Sequence, residues 1–184
     1  MKQYIDQSLS ERWEQLVENS GLLIEQKQLI EENLPTDNLD LVCAQLDEQQ
    51  FALYLPAVTE VIRMVKLTPV PGVSTATVGL LNLRRLIVPV IDLRILLELP
   101  VKPYDENTPI ILIEYRGKRR GLIVDAISEV INVPANAVTE PAGLIPHSEY
   151  VLALIQGQAG LIMMLNHMRL LSFDEESGAL LRKL

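Results

Sequence analysis

The chain repeats itself, and the repeat limits what it can fold into. Residues 41–62, LVCAQLDEQQFALYLPAVTEVI, lie over residues 110–131, IILIEYRGKRRGLIVDAISEVI, without a gap at an offset of 69. Leu53/Leu122, Ala57/Ala126, Glu60/Glu129, Val61/Val130 and Ile62/Ile131 are identical, and most other apolar positions stay apolar. Further on, 79–97 (GLLNLRRLIVPVIDLRILL) lies over 153–171 (ALIQGQAGLIMMLNHMRLL) at an offset of 74, which sets Asp92 on Asn166. The slip of five residues falls between Ile62 and Gly79, where Pro and Gly punctuate the chain. Such self-similarity reads as two copies of one structural unit, at about 39–99 and 108–172.

Each copy has the same order of parts. Two short β runs flank a polar turn, Asp47-Glu48-Gln49-Gln50 or Arg116-Gly117-Lys118-Arg119. A third run comes next (Glu60–Lys66; Glu129–Val133), then a Pro-rich loop, a hairpin and a short helical segment. Short strands with turn signals every 8–12 residues suggest a small closed barrel, which also removes exposed sheet edges. The expected fold is mainly β, two five-stranded barrels joined by the linker LPVKPYDENTP at 99–109. A strand crossing between the copies is left open.

Residues 1–38 belong to neither copy. Ile5, Leu9, Trp13, Leu16 and Val17 recur at helical spacing, with Ser8 and Glu11 placed as a capping box, and a second stripe begins after Gly21. Two amphipathic helices covering the barrels are the simpler expectation, and a docking arm for a partner the sharper one. Residues 173–184 are expected to form a tail. Residues 1–40 hold nine acids against three bases, a net of −6 within a chain total of −8. An acidic chain fits a phosphate backbone poorly, and Lys118-Arg119-Arg120 reads first as a solvated hairpin tip. The polar N-terminus has no signal-peptide core, no apolar run nears about 20 residues, and Cys43 is the single cysteine. A cytoplasmic protein is expected, recruited at most to membrane arrays.

Reactive groups do not converge anywhere in the sequence. The two histidines, His147 and His167, lack metal-site spacing, and Cys43 alternates with strand residues as a buried hydrophobe does. No nucleophile elbow or phosphate loop is present, so neither catalysis nor a cofactor is expected. The polar residues inside the apolar run 78–94 therefore need another account. Asp92 is placed to cap a short helix, as is Asn166 in the second copy. Pro89 lacks a ladder donor and belongs at an edge, bulge or barrel corner. Arg84 can pair with Glu60 and hold the hairpin in a fixed shape. Gln156–Gly160, the second copy's turn, offers nothing similar, so the first hairpin carries an added task.

LTPVPG (67–72), VGLLNLR (78–84), IVPVIDLR (87–94) and GLIVDAISEVINVP (121–134) together resemble the CheW-like domain, the chemotaxis coupling-protein family. The likeness spans about residues 39–172. It implies two SH3-like barrels packed side by side and a non-catalytic adaptor linking chemoreceptor tips to a CheA-type histidine kinase. A scaffold for a type IV pili and twitching-motility array is the alternative, with a small-molecule-binding barrel less favoured. Carried onto this chain, the resemblance implies a partner-binding surface of Glu60, Ile62, Asn82, Leu83, Arg84, Arg85 and Val90. It makes Pro89, Asp92, Arg94 and Asn166 structural. Two positions depart from the family pattern: Arg85 stands where glycine is usual, which implies a strained or altered turn, and Asn166 where aspartate is frequent.

Overall fold

The computed structural model describes residues 38–139, 141, 147–157 and 160–173. The helices expected before residue 38 and the tail after 173 lie outside them. Eleven strands are described: β1 (Asn38–Leu46), β2 (Gln49–Tyr54), β3 (Val58–Arg63), β4 (Thr77–Leu83), β5 (Leu86–Asp92), β6 (Pro109–Tyr115), β7 (Lys118–Ile123), β8 (Ala126–Pro134), β9 (Val138–Thr139), β10 (Val151–Gln156) and β11 (Leu161–Leu165). A short helix closes the second hairpin of each copy, α1 (Leu93–Leu96) and α2 (His167–Ser172).

The strands form two sheets, ordered β8-β1-β2-β11-β10-β9 and β3-β6-β7-β5-β4. Each is an SH3-like barrel. The first closes where β9 pairs with β10 after a 3-10 turn at Ala135–Ala137, and the second where Thr68 pairs with Leu80. Neither barrel is contiguous in sequence. The β1–β2 hairpin of the first copy sits among strands of the second, and the β6–β7 hairpin sits among β3, β4 and β5. The copies have exchanged their leading hairpins.

The pairing registers repeat the sequence offsets. Leu41 pairs with Ile131 and Ile62 with Ile110, the same contact displaced by 69 in both partners. The parallel pairs Met164 with Ala52 and Val90 with Gly121 correspond at offsets of 74 and 69. Each exchange is made by a short connection, the 3-10 turn Leu55–Ala57 from β2 to β3 and Val124-Asp125 from β7 to β8. Links so short bind the two barrels into one folding unit.

Alternation along the strands explains the cores. On β1, Leu39, Leu41 and Cys43 enter the interior of the first barrel with Ile155, Ile162 and Met164. Ala44 and Leu46, on the other face, join Phe51, Ile91, Ile111, Leu122 and Leu170 in a layer that both barrels share. The second barrel is filled by Leu81, Val88, Val90, Ile110, Leu112 and Ile123. Cys43 is 1% exposed, and burial raises its thiol pKa, as for a small packed hydrophobe.

The solvated reading of Lys118-Arg119-Arg120 is corrected at its last residue. Lys118 and Arg119 are exposed, and Arg119 pairs with Glu114. Arg120 is 4% exposed, and its Nη2 donates to the carbonyls of Leu171 (3.1 Å) and Phe173 (2.6 Å) at the end of α2. A cation at a helix C-terminus satisfies carbonyls that lack intrahelical donors.

Candidate functional site

The β4–β5 hairpin is a two-residue turn, Leu83 pairing with Leu86 across Arg84-Arg85. Both turn residues have positive φ, 48° and 73°. That backbone matches the twist of the strands but is disfavoured for residues with a Cβ, by about 1 kcal/mol each. The β6–β7 hairpin makes the same kind of turn with Arg116 (φ 50°) and Gly117 (φ 78°). Arg85 thus occupies a left-handed position that the neighbouring hairpin gives to glycine.

The hairpin tip lies over β3. Arg84 Nη2 stands 3.5 Å from Glu60 Oε1, a single contact rather than a two-pronged fork, with the arginine side chain 79% exposed. Asn82, Arg84, Arg85, Leu86 and Ile87 are exposed around it. Leu83 and Ile62 are half-buried and rest on the core of the second barrel. Val90 is 0% exposed inside that core. Its placement on the partner-binding surface is corrected: β5 is flanked by β4 and β7, and Val90 supports the hairpin from beneath.

Pro89 faces away from its hairpin partner. Leu80 pairs with Pro89, yet the Leu80 N–H and C=O both bond Thr68 (2.8 and 2.9 Å). Leu80 and Pro89 are therefore a non-hydrogen-bonded pair, and the proline nitrogen points towards β7. The β5–β7 ladder begins only at Val90 with Gly121, so the missing donor is never required.

Asp92 and Asn166 both stand at helix starts and are both 1% exposed. The Asp92 carboxylate accepts from Arg94 N at 2.7 Å to cap α1, and Asn166 Oδ1 accepts from Arg169 N at 3.2 Å to cap α2. Asp92 has a second role, accepting from the Tyr104 hydroxyl. Burial, and then that bond, push the Tyr104 pKa upward.

Arg94 carries the polar network that the sequence did not reveal. It is 6% exposed and donates through Nε and Nη2 to the two oxygens of Asp125, and through Nη1 to the Pro100 carbonyl. Its Nη2 also lies 3.7 Å from Asp47 Oδ1. Asp125 Oδ2 in turn accepts from Asp47 N at 2.8 Å. The hydrogen bond to Asp125 raises the Arg94 pKa, and the same bond holds the Asp125 carboxyl below the ordinary carboxylate range. Asp47 belongs to the first sheet's hairpin, Asp125 to the crossing between sheets and Pro100 to the linker. Arg94 ties all three to α1, directly after β5. Only the rarity of an acid flanking an apolar strand, Asp125 after Gly121–Val124, hints at it in the sequence.

The cleft beside this network, lined by Asp92, Lys102, Tyr104 and Asp125 among others, holds about 110 Å³. Small-molecule sites usually offer roughly 300–1,000 Å³. His167 is 8% exposed, stacked on Tyr54 of the first sheet (5.9 Å) and edge-on to Tyr115 of the second (6.1 Å). Burial lowers its pKa from 6.5 to about 4. Among the described residues no helix is long and apolar enough to cross a membrane.

Comparison with known proteins places these features. The model of the CheW-like domain matches residues 40–175. Chemotaxis protein CheW of Bacillus subtilis is 34% identical over 105 residues, 56% of this chain and 67% of that protein. Chemotaxis protein CheW of Treponema pallidum is 26% identical over 145 residues, covering 76% of this chain and 85% of that protein. Other curated relatives are matched over only 56–65% of their own length. The crystal structure of the scaffolding protein TtCheW from Thermoanaerobacter tengcongensis superimposes with a TM-score of 0.66 at 29% identity, covering 70% of this chain and 88% of that one.

Proposed function

The chain belongs to the CheW-like domain family, and from that premise we propose that it is a non-catalytic chemotaxis adaptor. In this reading it couples the cytoplasmic tip of a chemoreceptor to the regulatory domain of a CheA-type histidine kinase. It acts in the cytoplasm and joins membrane receptor arrays only through those partners. The observation that supports this most is the β4–β5 hairpin. It keeps two arginines in left-handed backbone on an exposed tip, holds Arg84 against Glu60, and sets Leu86 and Ile87 in solvent beside them. A strained, exposed and chemically mixed tip contributes nothing to the core beneath, and strain kept at such a place points to recognition. Glu60, Ile62, Asn82, Leu83, Arg84 and Arg85 form the partner surface in this reading, with Val90, Pro89, Asp92 and Arg94 supporting it.

The test uses the purified chain with a cognate receptor tip and kinase regulatory domain. Binding to both, with no substrate turnover, is expected, and binding to neither would overturn the adaptor reading. Arg84→Glu is expected to weaken receptor binding at least tenfold while the fold is retained. The loss of an exposed ion pair alone accounts for less than about 1 kcal/mol. Unchanged affinity in Arg84→Glu would reduce the arginine to a surface residue.

A further inference from the structure

β5 and β7 run side by side in parallel, Val90 level with Gly121, so the turns that precede them stand at the same end of the second barrel. Both turns have positive φ at each of two central residues, Arg84-Arg85 (48° and 73°) and Arg116-Gly117 (50° and 78°). The first residue of each is an arginine committed to its own barrel. Arg84 lies against Glu60, and Arg116 sits over the Tyr115 ring at 5.9 Å.

The second residues differ. Gly117 answers to the backbone alone: a Cβ there would meet nothing within 4 Å, but the left-handed φ disfavours one. Arg85 takes that penalty with no contact to offset it. Among the described residues no hydrogen bond or ion pair engages its side chain, which is exposed. A strained residue whose side chain stabilises nothing in its own fold points to something outside it.

Charge indicates what that is. The chain carries a net −8, so as a whole it repels an acidic partner. At the hairpin tip, Glu60 offsets Arg84 and leaves the charge of Arg85 uncompensated. Leu86 (46% exposed) and Ile87 (64%) follow it and point to opposite faces of β5, leaving apolar surface on both sides of the tip. A guanidinium so placed fits a carboxylate on a protein surface. The flanking side chains thin the water around the pair, and the planar fork can hold both oxygens.

We propose that Arg85 is the specificity residue of the hairpin, taking a carboxylate on the receptor tip, whereas Arg84 is held by Glu60. Tips with an acidic side chain at that point are selected, and tips with a basic one are rejected. This role rests on the adaptor reading.

The test follows association of the full chain with the purified cytoplasmic tip of its cognate receptor, at about 50 mM and about 500 mM salt. Arg85→Gly is expected to lower the association rate about fivefold at the lower salt and to flatten its salt dependence. Glycine suits the backbone of this turn, so the loss reports the side chain, and the urea midpoint is expected to hold or rise. Arg85→Lys is expected to keep most of the rate, and Arg85→Glu to lose at least tenfold. Each acidic side chain of the receptor tip is then replaced in turn by arginine. One such replacement is expected to restore binding to Arg85→Glu and to weaken binding to the unaltered chain. Equal rates for Arg85→Gly and the unaltered chain, or a loss in Arg85→Glu that no receptor replacement restores, would overturn the role of Arg85 and leave the adaptor reading standing. An unaltered chain that does not bind the tip would overturn both.

Discussion

The hairpin and helix of the first copy, β4–β5–α1, and those of the second, β10–β11–α2, are one design made twice. Both pair in parallel with a hairpin borrowed from the other copy, and both end in a buried side chain capping a short helix. They differ in the two residues just after the cap. Leu93-Arg94 in the first copy corresponds to His167-Met168 in the second. The first unit's polar groups reach out of the unit, to Asp125, Pro100, Tyr104 and Glu60. The second unit's one unusual group, His167, is held between Tyr54 and Tyr115, one ring from each sheet. The backbone thus depends on apolar pattern and caps, while the polar substitutions decide what each unit is tied to.

Replacing Arg94 by Met, the residue its counterpart carries, tests that division most severely. It strands the Asp125 carboxylate in a partly buried site, and breaking one side of a buried pair typically costs about 3–5 kcal/mol. The loss is expected as a lower urea midpoint, with Asp125→Asn in the same chain recovering part of it. A double variant no more stable than Arg94→Met would show that the two residues are not coupled. Acid should reveal the same pair. Because the folded Asp125 pKa is depressed, its stabilisation is complete above about 3.9, the ordinary value, and is lost as pH falls through the lowered one. Arg94→Met is expected to lack that acid limb.

The converse exchange, His167→Leu, gives the second unit the residue of the first. The folded histidine titrates near 4 instead of 6.5. The unfolded chain therefore binds the extra proton between those values, and stability falls as pH drops from 6.5 towards 4. A shift of this size corresponds to a loss on the order of 3 kcal/mol at the acid end. Thermal melts across that window are expected to flatten in His167→Leu; an unchanged slope would assign the acid sensitivity elsewhere.

Residue order carries some of these features and not others. The duplication, its two offsets, the short strands and the caps at Asp92 and Asn166 are local patterns, each carried by spacing or by a single residue type. The hairpin exchange is not local. β1–β2 has the same alternation whichever sheet receives it, and only the pairings of Leu41 with Ile131 and Ile62 with Ile110 record the choice. Arg120 reads as solvated in the sequence because its destination, the carbonyls of Leu171 and Phe173, lies 51 and 53 residues away. Arg94 stands in the motif, but nothing near it in sequence names Asp125 as its partner. Val90 belongs to the expected surface through resemblance alone, and its strand neighbours bury it.

Smaller effects sharpen the comparison. Asp92→Asn makes the first cap chemically that of the second. The amide oxygen can still accept from Arg94 N, but the charge-assisted bond from Tyr104 is lost, for an expected cost of about 1 kcal/mol. Chemical denaturation of Asp92→Asn with and without Tyr104→Phe measures that coupling; equal losses in both backgrounds would mean the tyrosine contributes nothing through Asp92.

Arg85→Gly carries the smallest expected change in stability and the plainest sign. Arg85 sits at φ 73°, where Gly117 sits at 78° in the neighbouring hairpin of the same barrel. Glycine relieves the Cβ clash of about 1 kcal/mol but adds freedom to the unfolded chain, leaving a net gain of about 0.5 kcal/mol. The reverse exchange, Gly117→Arg, is expected to destabilise by a similar amount, since open space surrounds that position and only the backbone objects. If partner recognition needs the charge of Arg85, the glycine variant will be more stable and bind less well. A chain that gains stability and keeps its full affinity would leave the left-handed arginine without a role in recognition, and would shift the weight of the hairpin's task onto Arg84.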